Sequence, residues 1–335
     1  MLISRSNFLH CKSPGHHLFG INELIETGDY EVTYLLATPK SCNSKILKLI
    51  SLIPVWVNIY FKASKFDYIY GGADFTIDFL GFLNKIGVTM PKLITIFHHP
   101  PFRLRIKYEK YDKIIFLSEY YYNEMSKSFP KLKNSFEFIQ WGPDLNFYSK
   151  FSKGPNLKIN IREVIFISNG KTKRDHESLV SAAIESRNKT IIVSDSQNIP
   201  FNYSKDNKYI EIFLQEKPND IAMVNLLKKC SVMVIPTNYT DHKLGPIGLT
   251  SFLDAIAMGI PIIAGNNTSF SDIIIRHKLG LIYKAGNANE LAEKMNILKN
   301  NKDLIIEYGM NSFSFGRKNN MKVFGEKIKK IFAEI

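Results

Sequence analysis

The strongest constraint on the fold is a repeated alternation of short, largely apolar runs of strand length with stretches long enough for a helix. In the first half the runs are Glu31–Ala37, Tyr68–Tyr70, Leu93–Phe97, Ile114–Leu117 and Phe136–Gln140. A second series holds Val164–Ser168, Thr190–Val193, Tyr209–Phe213, Val232–Pro236 and Ile262–Ala264. Runs this apolar fit strands covered on both faces, which a parallel sheet with crossover helices requires. At 335 residues the chain exceeds one small core and suits two α/β domains. Lys, Gly and Pro interrupt the apolar pattern between Ser149 and Asn160, so the expected division is a domain over 1–152, a second over 153–318 and a closing amphipathic helix over 319–335.

Composition narrows the partners. The formal charge of +13 calls for something anionic: nucleic acid, a membrane surface or a phosphorylated substrate. No zinc-finger spacing, basic zipper or RRM-type aromatic motif occurs, so nucleic acid is not the expected partner. The 3 cysteines, Cys11, Cys42 and Cys230, are scattered and suggest core residues rather than a disulfide framework or metal knuckle. No run approaches the roughly 18–20 apolar residues of a membrane span, and MLISRSNFLHCK lacks the apolar region of a signal peptide; a cytoplasmic protein is expected. The stretch Ile46–Phe61, flanked by Lys48 and Lys62, reads either as a core helix broken at Pro54 or as a contact with an anionic membrane.

Chemistry concentrates in Gly248–Ala264, GLTSFLDAIAMGIPIIA. Thr250 and Ser251 can cap a helix whose first N–H groups face an anion, and Asp254 lies one turn further in. Gly259 ends the helix and Pro261 opens the next strand. Upstream, the loop Asn169–Asp175 carries Lys171, Lys173 and Arg174 at the start of a helix, which suits clamping a diphosphate. His98 and His99 follow a strand and precede Pro100 and Pro101, placing two imidazoles at a strand C-terminus. No Asp-x-Asp pair occurs, so metal-held phosphate is not expected.

Further landmarks follow in order: IIFLSEYY, IQWGPDLNFYS, VIFISNGKTKRDHESLVSAA, LLKKCSVMVIPTN, the Gly248–Ala264 run, and LGLIYKAGNANELAEKM. On these the chain resembles the family 4 retaining glycosyltransferases (glycosyl transferases group 1) of the GT-B fold. The resemblance implies an α/β architecture of two Rossmann-like, doubly wound parallel-sheet domains facing a cleft, with the closing helix returning to the first. It implies a nucleoside-diphosphate sugar as co-substrate, with Asp254 at the ribose hydroxyls and Arg174 in the place of a phosphate lysine. A companion arginine of the family falls at about Asn169, which would pass its role to Lys171. Gly170, Gly245, Gly248 and Leu249 would bring backbone to the donor, and Lys243, Thr250 and Ser251 would add phosphate or sugar contacts. One of His98 and His99 would approach the donor sugar; Gly15, His16 and His17 would lie on the acceptor side. Gly142 and Asp144 match a turn that sets hinge geometry, and Asp272 matches a family glutamate or caps a helix. Pro246 stands where the family carries a first acid.

The expected function is therefore retaining, metal-independent transfer of a sugar to a glycan or lipid-linked acceptor in bacterial surface polysaccharide synthesis, with no cofactor and a possible peripheral contact with anionic membrane. Two rivals stay open: a degenerate GT-B subunit that binds without turnover, motivated by Pro246 and Asn169, and a GT-B nucleotide-sugar epimerase.

Overall fold

The computed structural model describes residues 13–33, 50–98, 108–152, 154–155, 163–198, 207–215 and 219–335. Of these, His17–Gln140 and Lys322–Ile335 form one compact unit; Trp141–Met321 and the segment ending at His16 form the other.

Among the described residues the first unit has four parallel strands, in the order β1 (Tyr68–Gly71), β2 (Lys92–Phe97), β3 (Lys113–Phe116) and β4 (Phe136–Phe138). Its described helices include α1 (Ile21–Thr27), α2 (Ile53–Lys62), α3 (Asp74–Lys85) and α4 (Glu119–Ser128). Leu80, Leu93, Ile114, Phe116 and Met125 are fully buried between sheet and helices. Two expectations need correction. Glu31–Thr33 carry no strand, and 34–37 lie outside the described residues. Residue 50 is helical, Ser51 and Leu52 turn, and Pro54 sits in the first turn of the next helix, α2, where a proline's missing N–H costs no intrahelical bond. Helix α2 is not a core helix throughout: Trp56 is buried, while Ile53, Val57, Tyr60 and Phe61 are exposed.

The second unit runs α5 (Leu145–Tyr148), β5 (Phe166–Asn169), α6 (His176–Glu185), β6 (Thr190–Ser194), β7 (Ile210–Leu214), α7 (Asp220–Leu227), β8 (Val232–Ile235), α8 (Leu249–Met258), β9 (Ile262–Gly265), α9 (Ser271–Arg276), β10 (Gly280–Tyr283), α10 (Ala288–Asn300) and α11 (Lys302–Lys318). Its six strands among the described residues are all parallel, in the order β10-β9-β8-β5-β6-β7. That is the doubly wound dinucleotide-binding order, and it reverses direction between β5 and β8; a crevice opens at such a switch point, beyond the strands' C-terminal ends. Burial explains the strands: every residue of β5, β6, β8 and β9 is buried, as sheets covered on both faces demand.

The edge strand β10 is an addition to the runs read as strands from the sequence; its Gly280–Ile282 are only half-buried. Strand β5 also ends one residue later than expected, so Asn169 is its last member rather than part of the following loop.

The last helix, α12 (Met321–Glu334), returns Phe324, Ile328 and Phe332 to buried positions. The Tyr68 hydroxyl donates to the Phe332 carbonyl at 2.7 Å within the first unit, and the two rings stack 4.8 Å apart. Among the described residues no helix is long and apolar enough to cross a membrane.

Candidate functional site

The switch point between β5 and β8 gathers most of the candidate side chains of the second unit. Helix α8 begins at Gly248, whose φ of 87° is left-handed; a Cβ there would stand 2.7 Å from Cγ2 of Ile235, so only glycine delivers the chain into this helix without displacing β8. Gly245 and Leu249 are buried in the approach to the helix and its first turn. Helical geometry leaves the first N–H groups of α8 without intrahelical partners. The hydroxyl caps expected here are corrected by the structure: the N-cap is Gly248, no side chain caps α8, and Thr250 is exposed in the first turn. Ser251 is 1% exposed and bonds across to β5 instead, donating to the Asn169 carbonyl at 2.8 Å.

Arg174 is drawn into the same place. Its Nη2 donates to Ser251 Oγ at 3.0 Å, and Nε and Nη2 lie 3.3 Å from the Asn169 carbonyl. Gly170, at φ 121°, makes room, for a Cβ there would sit 2.5 Å from Arg174 Nη2. Burial brings the guanidinium's pKa down to about 10, which leaves it charged at neutral pH. A fixed cation thus lies beside the start of α8, at the end of the macrodipole that favours anions.

Asp254 lies one turn into α8 and is held at both oxygens. Oδ1 accepts from the Tyr148 hydroxyl at 2.5 Å, and Oδ2 accepts from Asn169 Nδ2 at 2.8 Å. Burial pushes its pKa up to about 6, with the charge of Asp220 adding to the rise; the bonds from Tyr148 and Asn169 oppose it. Oδ1 of Asn169 is buried with no hydrogen-bond partner among the described residues, a costly state of the kind that gathers at binding sites.

Other candidates stand apart. Lys171 places its ammonium 3.7 Å from Asp195 Oδ2, off the end of β6. It is Asn169, not Lys171, that reaches Asp254, and it does so with an amide. Lys243 donates to the Asn266 carbonyl at 3.1 Å and to Ser271 Oγ and lies 3.4 Å from Asp272, so Asp272 anchors a lysine rather than capping α9. A cavity of about 520 Å³ beside Tyr239, Lys284 and Gly286 is lined by none of the candidate residues.

The first loop divides between the units. Gly15 and His16 belong to the second: the Gly15 N–H donates to Asp144 Oδ2 at 2.7 Å, Trp141 Nε1 donates to the His16 carbonyl, and the His16 ring stacks on Tyr148 with centroids 6.4 Å apart. Asp144 also caps α5 through Oδ1. Gly142 is a point of close approach, since a Cβ would stand 1.5 Å from the Asn319 carbonyl oxygen.

His17 and His98 fall together in the first unit. His98 Nε2 lies 2.9 Å from the Gly72 carbonyl, and its ring meets Phe19 at 5.2 Å. Burial, reinforced by the charge of His98, lowers the His17 pKa to about 4 and keeps it neutral near pH 7. His99 lies outside the described residues.

Reasoning from sequence missed Tyr148, although it sits in the IQWGPDLNFYS landmark, and gave Asn169 no contact with the acid. Among the described residues no group of three or more His, Cys, Asp and Glu is placed to hold a metal ion.

Residues 205–312 match the family described as glycosyl transferases group 1. An uncharacterized glycosyltransferase of Methanocaldococcus jannaschii is 25% identical over 213 residues, 56% of this chain and 58% of that protein, so the chain spans under two thirds of this curated relative's length. Among solved structures, sucrose-phosphate synthase from Thermosynechococcus elongatus superposes with a TM-score of 0.67 at 15% identity, over 91% of this chain and 84% of that one. A glycosyltransferase from Rickettsia africae gives 0.65 at 15%, over 94% and 87%. Anabaena HepE, solved with UDP, gives 0.64 at 13%, over 94% and 89%.

Proposed function

We propose that this chain, which has the GT-B fold and carries the glycosyl transferases group 1 match over residues 205–312, is a glycosyltransferase that takes a sugar from a nucleoside-diphosphate donor and delivers it with retention. The observation that carries the reading is the coincidence at one switch point of a buried acid, Asp254, and a buried cation, Arg174, at the N-terminal part of α8. A diol-binding carboxylate and a diphosphate-binding guanidinium are the two things a nucleoside diphosphate needs.

In the proposed reaction the bond from the anomeric carbon to the diphosphate oxygen breaks and the acceptor hydroxyl bonds to that carbon from the same face. The hydroxyl proton passes to the departing diphosphate. Arg174 and the first amides of α8 stabilise the charge that develops on that leaving group, without a metal ion. His98 and His17, neighbours in the first unit, are assigned to the sugar and acceptor side.

Structures of Anabaena HepE with UDP and with UDP-glucose make UDP-sugars the first donors to test. The acceptor in this reading is a saccharide or lipid-linked saccharide of the bacterial surface, taken at the cytoplasmic face of the membrane. The support is an apolar face on α2 and α3 with Lys62 and Lys65 beside it, on a chain of net charge +13.

The test is a metal-free thermal-shift screen of UDP-, GDP-, ADP- and dTDP-sugars against the wild-type chain and Asp254→Ala. Saturable stabilisation by one nucleotide class, lost in the variant, is expected. Stabilisation without turnover over a panel of acceptors would favour a binding subunit, in keeping with Pro246 and Asn169 in place of an acid and an arginine. Stabilisation by none of them sinks the reading.

A further inference from the structure

The two hydrogen bonds on Asp254 are unequal in what secures them. Asn169 is fixed by the sheet, as the last residue of β5. Tyr148 comes from outside the sheet, on the single turn of α5, yet it is only 2% exposed. Asp144 holds that turn in place by accepting from the Asn146 and Phe147 amides with Oδ1 and from the Gly15 amide with Oδ2. The His16 ring lies parallel to the Tyr148 ring, at an interplanar angle of 6°. A buried phenol, carried on a turn that Asp144 holds and faced on one side by the His16 ring, therefore aims its hydroxyl at one oxygen of a carboxylate 106 positions away.

We infer that Tyr148 is the positioning residue of the donor acid: with Asn169 it fixes the Asp254 carboxylate in one orientation and leaves one acceptor site on each oxygen for the two hydroxyls of a ribose. An ionised carboxylate oxygen accepts two hydrogen bonds, so one internal donor on each leaves the pair of outward acceptors that a vicinal diol matches. The inference rests on Asp254 as the ribose ligand. It extends that reading by giving the acid a gate: a protonated carboxyl offers a donor where the diol needs an acceptor, so binding follows the ionisation of Asp254.

The groups facing the pair work in opposite directions. Burial first and Asp220, at the start of α7, after it disfavour charge on Asp254; burial, then Asp254 itself, then Asp220 and Asp144 disfavour charge on Tyr148, which keeps the phenol a donor. Arg174 reaches α8 through Ser251, and His16 meets the Tyr148 ring. Within this set Tyr148 and Asn169 are the hydrogen-bond donors to the carboxylate, so removing either raises the pH at which it ionises.

Two measurements on the full chain test this. The first follows the Asp254 carboxyl by NMR of selectively labelled aspartate across pH in the ligand-free wild type, Tyr148→Phe and Asn169→Ala. The second follows UDP-glucose affinity over the same range, with Asp254→Asn as the control, because the terminal phosphate of UDP itself titrates at about pH 6 and the esterified diphosphate does not. One hydrogen bond to an ionised carboxylate, about 1.5–3 kcal/mol, corresponds to a shift of about 1–2 pH units. In both variants the carboxyl titration and the acid limb of binding should move up together by that amount. Tyr148→Phe should also bind UDP-glucose more weakly than wild type above the limb, because the carboxylate is no longer held in one orientation, while Tyr148→Phe and wild type keep the same fold by circular dichroism. Asp254→Asn should show no limb.

A titration unmoved in Tyr148→Phe would overturn the inference and leave Tyr148 as packing alone. Should the phenylalanine variant fold poorly, Asn169→Ala carries the same prediction at the other oxygen. A wild-type chain that binds no nucleotide at any pH overturns the donor-site reading instead, and the carboxyl titration then still decides whether Tyr148 governs Asp254.

Discussion

Arg174 shows how a single residue can be poised for phosphate before any ligand arrives. Its guanidinium rests on Ser251 and on the carbonyls of Asn169 and Thr172, which still leave part of its five N–H donors. A charge-assisted hydrogen bond contributes about 1.5–3 kcal/mol, or about 10- to 150-fold in affinity. Arg174→Ala should therefore weaken UDP by that factor and uridine by less than about threefold, which isothermal titration of both ligands would show. An equal loss for uridine would mean that the arginine holds the loop rather than the diphosphate. The acid and the cation were legible in the sequence because each sits in a local pattern, Asp254 on a capped amphipathic stretch and Arg174 just before a helix. Tyr148 was not, since nothing along the chain says that a tyrosine at the end of IQWGPDLNFY will meet an aspartate in the α8 run. The hydroxyls of Thr250 and Ser251 misled for a related reason: they resemble helix caps locally, but Gly248 takes the turn and Ser251 finds a better partner on β5.

At the scale of elements, the orientation of α8 depends on how closely α11 approaches it. Three small residues of α11, Gly309, Ser312 and Gly316, are buried along one face. A Cβ on Gly316 would stand 2.5 Å from the Ile256 carbonyl oxygen, and one on Gly309 2.8 Å from that of Gly259. These contacts are to backbone, so side-chain rotation cannot relieve them. Replacing a helical glycine by alanine gains about 1 kcal/mol in propensity. Overpacking against a fixed neighbour costs about 1–3 kcal/mol, so Gly316→Ala should lower stability by about 1 kcal/mol net, read as a fall in the denaturant midpoint at constant slope. A rise in the midpoint would show that the helices part without strain. The strands of this unit could be read from the sequence because they are buried on both faces and so apolar throughout, whereas β10, half-buried at the sheet edge, carried no such signal. The pairing of α8 with α11 was beyond sequence, because a small residue in a helix announces close contact but not its partner.

For the whole molecule the open quantity is where the charge of +13 does its work. Only part of it lies at the candidate site, and the first unit offers another place. On α2 and α3, Phe61 is 75% exposed, Phe82 49% and Ile53 47%, and Ile86, just past α3, is 59% exposed. Apolar surface of this extent on adjoining helices is more than scattered exposure explains. Helix α2 has no acidic residue, and Lys62 ends it with Lys65 close behind. Rings that enter the interfacial region beside lysines that meet lipid phosphates make an anionic bilayer the fitting occupant, at about 1 kcal/mol for each lysine near the surface. The chain should sediment with phosphatidylglycerol vesicles at low salt and not with phosphatidylcholine alone. The double variant Phe61→Ser with Phe82→Ser should stay in solution under both conditions, while its UDP affinity, set in the other unit, stays unchanged. Because lysine attraction is screened within a Debye length and ring insertion is not, raising the salt should weaken but not abolish wild-type binding. A wild-type chain that instead scatters light as a dimer, and becomes a monomer in the same double variant, would assign this face to a second copy and remove the membrane from the proposal.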